Sequence, residues 1–491
     1  MTSLPSSAGV DERAPAWNLD LLVGDKSVAG NGPELTIPDP TTTKTLTTFA
    51  TADLSQVDAA IDAARRAFDE GPWPRMSPRE RSLALHRVAD KLETLQATLS
   101  AGVILEVGTP VALADTLQTD LAVQTLREYA DRAAEDGTVH LGPHFVPTTS
   151  VSLVARRPVG VAAVITAYNF PILLAMRGMG AALAAGCTGV LLPSPRAPLT
   201  TLLLAEVFSE LPPGVVNIVV GGPDVGQRLT THPGVDKVAF TGSMAVGAHI
   251  MRQAAETAKS ISLELGDKSP AVVLPDADLE SQVPSILMGY LANSGQSCGA
   301  TTRILVPRSR WDEFAERARR FIEALPAGDP WAPSTAIGPL IRPEHRDHVQ
   351  ARVDAALESG ATVIGKGSVP DLDGWFMPAY LLGGVDNQAP VSRQELFGPV
   401  GVLLPYDDIA DAVTTANDTP YGLHAKVFTT DLEAGLKVAA QLRVGSVQVN
   451  GGGFRPDAPF GGMKQSGVGR EYGVWGIEEF SEAQHVQWAM A

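Results

Sequence analysis

The middle of this sequence predicts an α/β fold built on a doubly wound, mostly parallel sheet. The first observation is an alternation, from Pro158 onward, of short apolar runs of strand length with longer runs at helical spacing. The second is length: 491 residues exceed one ordinary core and imply two or three domains. The third is balance, with 44% hydrophobic and 19% charged residues, as in folded globular chains. The 47 glycines and 37 prolines are dispersed, as turns between short elements require, and no repeat of solenoid type recurs.

Taken in order, residues 53–70 carry Val57, Ile61, Ala64 and Phe68 at helical spacing, with Asp53 or Ser55 as cap. A Pro/Trp-rich turn leads to a second helical run over 78–100, and a third spans 115–135 and stops at Gly137. The polar segment GPHFVPTTS precedes a short strand at Val151–Ala155. Then come a strand at Val159–Thr166, a helix at 172–185 and a strand at Thr188–Leu192. A helix at Leu199–Leu211, a strand at Val215–Val220, a short helix at Val225–Thr230 and a strand at Val238–Phe240 follow. A second αβ run extends from Glu264 to about 465, and the tail HVQWAM again reads as strand.

Composition excludes several functions. A net charge of −17 repels nucleic acid and anionic membrane surfaces. The polar start, Met1 to Trp17, lacks the apolar run of a signal peptide. The apolar stretch Ile172–Pro193 is interrupted by Arg177 and four glycines, so it reads as a buried helix, a Gly-Cys-Thr-Gly break and a strand, not a membrane span. Two distant cysteines, Cys187 and Cys298, form no disulfide framework and suit a reducing cytoplasm. No histidine stands at ligand spacing from either, and no metal site is expected.

The strongest chemical signal is Asn293-Ser-Gly-Gln-Ser-Cys298, preceded by Leu263-Glu264-Leu265-Gly266. A lone cysteine is ordinarily inert packing, which is how Cys187 reads, but Gly295 and Gln296 set Cys298 on a turn that a ligand can approach. Glu264 ends an apolar strand-like run. Its plainer reading is an exposed strand residue; its chemical reading is a desolvated carboxylate with a raised pKa, fit for a general base. Asn169 follows a buried strand at its carboxyl end, where loops carry function, although an Asn there also caps turns.

These positions fall within blocks that together resemble the aldehyde dehydrogenase superfamily from about residue 20 to 485. The blocks are PVGVAAVITAYNFP (158–171), FTGSMAVG (240–247), LELGDKSP (263–270) and NSGQSCGATTR (293–303), followed by QELFGPV (394–400), ANDTPYGL (416–423) and PFGGMKQSGVGRE (459–471). The resemblance implies a Rossmann-like cofactor domain over 1–130 and 158–263, an α/β catalytic domain over 264–477, and a small β oligomerisation arm from 131–157 and 478–491. A homodimer or homotetramer would follow. It further implies Cys298 as nucleophile, Asn169 with the Cys298 N–H as oxyanion hole, and Glu264 as the base that releases an acid from a thioester. Cofactor contacts would come from Thr166, Ser194, Gly242, Ser243, Gly247, Leu265, Gly266, Glu395 and Phe397.

Departures from the family pattern bear on the cofactor. Lys-Pro-Ser-Glu is replaced by Leu192-Pro193-Ser194-Pro195. The missing carboxylate would repel a 2′-phosphate and the missing lysine would attract one, so NAD is preferred with NADP open. Tyr168 stands for a tryptophan, Gly178 for a lysine beside Arg177, and Asp267 for a glycine; the partner of Glu471 is left unassigned. A competing function is a dinucleotide-binding scaffold with weak or lost turnover, motivated by Leu192, Pro195 and Gly178 and opposed by the intact Asn169, Glu264 and Cys298. The aldehyde entrance is expected at Phe170, Leu173, Leu174, Ser297, Gly299 and residues 452–460. Its apolar side chains suit aliphatic, terpenoid or aromatic aldehydes, while Arg177 and Arg455 leave an acidic substrate open.

Overall fold

The computed structural model describes residues 13–490; the polar run at 1–12 and Ala491 lie outside the described residues. Two large sheets, one of three strands and a two-stranded ribbon (Glu34–Pro38 with Thr45–Ala50) organise the described residues. In the first, five parallel strands lie in the order Val216–Ile218, Thr188–Leu192, Val161–Ile165, Lys237–Thr241, Ser260–Glu264. Counted from Val161–Ile165, the chain winds one way for two strands and then the other way for two. This creates a switch point between Val161–Ile165 and Lys237–Thr241, where both strands release loops at their carboxyl ends. Antiparallel additions close the edges: Leu21–Val23 with Lys26–Val28 on one side, and Gly467–Val468 beside Glu264 on the other.

The second sheet holds seven strands centred on Pro270–Val273 and Arg303–Pro307, all parallel except the edge strand Thr362–Lys366. Apolar clusters cover both of its faces. The near-continuous Val/Leu/Ile content of these strands is what burial on two faces demands. The third sheet is antiparallel: Ser481–Ala489 pairs with Ser150–Pro158 along its whole length, and Val139–His144 pairs on the other side. Its outer strands are solvent-exposed, with Val139, Leu141 and Trp488 bare. No helix among the described residues is long and apolar enough to cross a membrane.

Local chemistry explains the element ends. Asp53 caps Leu54–Asp69 in a reciprocal pair with Gln56, and Ser77 does the same with Glu80 for Pro78–Thr94. The helical run expected over 78–100 is two helices, Pro78–Thr94 and Gln96–Val107, which meet at Leu95. The run over 115–135 opens as a π-helical stretch, Ala114–Asp120, before becoming α-helical over Leu121–Ala133. Pro171 starts the apolar helix Pro171–Ala185 and Gly186, at φ 96°, ends it, so the Gly-Cys-Thr-Gly segment is the break expected between helix and strand.

Candidate active site

A cavity of about 1180 Å³ opens at the switch point and runs between the two large sheets. It is roomy enough for a dinucleotide and a second small molecule, since drug-sized sites occupy roughly 300–1,000 Å³. Three chain segments bring Asn169, Glu264 and Cys298 to its wall.

Cys298 follows a tightly bound turn. Asn293, Ser294 and Gly295 are consecutively left-handed (φ 52°, 56° and 74°), a conformation unfavourable for the first two. Partners fix each of them. Thr109 donates to Asn293 Oδ1 at 2.9 Å, Ser294 Oγ donates to Gly338 O at 2.8 Å, and Gly295 lies so close to Gly398 that a Cβ would meet its carbonyl oxygen at 2.1 Å. The Asn169 amide donates to Gln296 O at 2.9 Å, joining the loop after Val161–Ile165 to the cysteine turn. Tyr168 Oη and Ile341 N both donate to the Gln296 side chain, at 3.2 and 3.1 Å.

Glu264 sits at the carboxyl end of its strand and is 2% exposed. The exposed-residue reading of the alternation fails because the side chain is enclosed by Arg177, Glu471, Cys298 and Glu395. Burial pushes its carboxyl up to about 8, opposed by the Arg177 cation and reinforced by Glu471. Burial and the Glu264 charge push the Cys298 thiol well above its ordinary range, with Arg177 opposing. The thiol and the carboxyl therefore compete for protons in the resting site.

The residues matched to cofactor positions form the other half of the cavity. Ser243 caps the helix Met244–Ala255, whose N-terminus faces the cavity with free N–H groups and a favourable dipole for an anion. Thr166, Ser194, Gly242, Leu265, Gly266, Glu395 and Phe397 also line it. Gly247 does not. It lies behind the wall, and a Cβ there would meet Leu265 Cδ2 at 2.6 Å, so its role is to let the helix close on the strand end. Glu395 accepts the Asp267 N–H at 3.2 Å, and burial lifts its carboxyl to about 7. Phe397 packs edge-on to Tyr168 at 5.9 Å.

Three findings lie beyond the motif reading. Asp267 is buried, taking hydrogen bonds from Ser269 Oγ, from Ser466 Oγ at 2.9 Å and from Leu423 N at 3.1 Å, so this carboxylate staples three segments behind the cavity. Gly178 has no room for a side chain, since a Cβ would meet Val164 Cγ1 at 2.6 Å. Arg177 is the partner of Glu471, with Nε at 2.7 Å from its carboxylate. The one sequence sign of this pair was a charged residue inside an apolar helix; its partner is far away along the chain.

Comparison with known proteins gives the family. Residues 28–486 match the aldehyde dehydrogenase family profile. A geranial dehydrogenase of Castellaniella defragrans is 39% identical over 88% of this chain and 90% of its own length. A 3-succinoylsemialdehyde-pyridine dehydrogenase of a Pseudomonas species is 39% identical over 92% and 94%. The crystal structure of a Mycobacterium tuberculosis aldehyde dehydrogenase complexed with NAD+ superposes with a TM-score of 0.92 at 38% identity, over 96% of this chain and 98% of that one. With the same α/β architecture and near-complete coverage on both sides, the chain belongs to the aldehyde dehydrogenase family.

Proposed function

We propose that this protein oxidises an uncharged aldehyde to a carboxylic acid with NAD, through a thioester on Cys298. The observation that carries the reading is the convergence of Cys298, Glu264 and Asn169 on one cavity whose far half presents a helix N-terminus.

The cavity fits a dinucleotide on the chain's own features. The Met244–Ala255 N-terminus offers unpaired N–H groups for a pyrophosphate, the Thr166 hydroxyl is buried without a partner, and the lack of a side chain at Gly266 leaves room for Glu395 beside the strand end. When bound, the dinucleotide supplies a two-electron oxidant. With Leu192 and Pro195 apolar, neither a lysine nor a carboxylate stands at those ribose-side positions; NAD is the expected partner and NADP the alternative.

In this reading Cys298 loses its proton to solvent and attacks the aldehyde carbon as a thiolate. The oxyanion of the thiohemiacetal is met by the Asn169 amide and the Cys298 N–H, donors aimed at charge that develops during reaction. Oxidation leaves a thioester. Glu264 then withdraws a proton from water, which attacks the thioester and frees the acid and the thiol.

Substrate class follows from the near half of the cavity. Phe170, Leu173, Leu174, Phe454 and Phe460 form its apolar wall. The cations of the wall are poorly placed for an acidic aldehyde: Arg455 binds Asp457 at 2.9 Å, Arg177 lies between Glu264 and Glu471, Arg196 stands over the Tyr168 ring, and burial lowers the pKa of Lys426. This favours aliphatic, terpenoid and aromatic aldehydes over semialdehydes bearing an acid. We place the protein in a reducing cytoplasm, acting as a dimer or tetramer through its exposed third sheet.

Absorbance at 340 nm with an aldehyde panel, run with NAD and NADP in parallel, tests the reading. Turnover with apolar aldehydes and NAD, with acid formed in step with NADH, is expected. Cofactor binding without turnover on any aldehyde would instead establish the scaffold alternative, and preference for small acidic semialdehydes would overturn the substrate class.

A further inference from the structure

Neither oxygen of Glu264 takes a hydrogen bond from an N–H or hydroxyl group among the described residues, although the side chain is buried; the Cys298 thiol beside it is its one hydrogen-bonding neighbour. A buried carboxylate without hydrogen bonds retains its charge only if a cation compensates it. Arg177 supplies that cation. It projects from Pro171–Ala185, is 4% exposed, and holds Nη2 at 3.6 Å from Glu264 Oε2.

The guanidinium is fixed independently of Glu264. Its Nε lies 2.7 Å from Glu471, its Nη2 donates to Thr241 Oγ1 at 3.2 Å, and the Phe460 and Tyr472 rings each stand 5.7 Å away. Arginine does not lose its charge on burial, whereas a buried lysine is more readily deprotonated. At 3.6 Å, Glu264 is attracted to the guanidinium without being hydrogen-bonded to it. The cation thus offsets part of the effect of burial and favours the ionised carboxylate, while its oxygens stay available to a water.

We propose that Arg177 is a positioning residue that favours the ionised form of Glu264 for thioester hydrolysis, and that Glu471 opposes it by drawing on the same guanidinium. The proposal rests on the assignment of Glu264 as the base of deacylation. The groups facing Glu264 are Arg177 from the helix, Glu471 from the segment before Gly473–Glu478, Cys298 from its turn and Glu395 from the loop beyond Pro390–Arg393. Arg177 itself faces Tyr472 and Cys298, and Glu471 faces Glu479. Among the neighbours of Glu264, Arg177 lowers its pKa and Glu471 raises it. The signs are therefore opposite. Loss of the cation moves the ionisation of Glu264 to higher pH, and loss of the Glu471 charge moves it to lower pH.

The test follows the decay of the Cys298 acyl adduct by rapid-quench intact-protein mass spectrometry. It uses the full-length protein with NAD and its best aldehyde, from about pH 6 to about pH 10. Arg177→Met should move the acidic limb of hydrolysis up by about one pH unit or more, the scale of an adjacent opposite charge. Arg177→Lys should restore part of that shift. Glu471→Gln should move the limb down, and it carries the test alone if Arg177→Met does not fold. An unchanged limb in Glu471→Gln, or a shift in the same direction as in Arg177→Met, overturns the proposal. Glu264→Gln separates the two layers of inference: an adduct that persists on Cys298 upholds the thioester reading, and no adduct removes that reading whatever Arg177 does.

Discussion

At the scale of single residues, the site is defined by groups that burial has moved from their ordinary ionisation. The Cys298 thiol is held protonated beside a carboxyl lifted to about 8, so attack and hydrolysis both gain from a rise in pH through that value. The rate on a good aldehyde is expected to climb from neutral pH through about 8, and a flat profile across that range would remove Glu264 from the slow step. Cys298→Ala should abolish NADH production while leaving the fluorescence change on NAD binding. Asn169→Ala should lower kcat by about 10²–10³, the usual cost of removing one oxyanion donor, with the melting temperature as a control for folding. Cysteine, glutamate and asparagine were legible because each ends a motif with an unusual chemical setting. Asp267 and Arg177 were not: their partners, Ser466 and Leu423 for the first and Glu471 for the second, come close only through the tertiary fold.

At the scale of elements, the sequence shows most clearly what local chemistry controls. Asp53, Ser77 and Ser243 cap their helices, and the alternation after Pro158 becomes the five parallel strands of the first sheet. The break at Leu95 and the π-helical entry at Ala114 were illegible because the periodicity of apolar residues continues through both. Packing of Met244–Ala255 over Leu265 gives a prediction at this scale. Gly247→Val inserts a branched side chain where even a Cβ stands 2.6 Å from Leu265. It should lift the helix, destabilise the protein by about 1–3 kcal/mol and weaken NAD binding, as thermal melts and NAD titration would read. Unchanged NAD affinity would mean that the helix N-terminus does not hold the cofactor.

At the scale of the whole molecule, the third sheet presents bare edges and the exposed side chains of Val139, Leu141 and Trp488. Unpaired edges of this kind are ordinarily covered in the native assembly. Deletion of residues from Ser481 onward should therefore yield a smaller species in analytical ultracentrifugation, and an unchanged mass would show that assembly uses another surface. The walls of the cavity also differ in how firmly they are built. The turn from Asn293 to Gly295 is fixed both by its backbone conformation and by partners from three other segments, whereas a Cβ added at Gly452 or Gly453 would meet nothing within 4 Å. For a protein engineer this divides the site into a bedplate and a tool post. Libraries over 452–460 can retarget the enzyme to new aldehydes with the chemistry left in register, while variation at 293–295 would mostly return inactive chains.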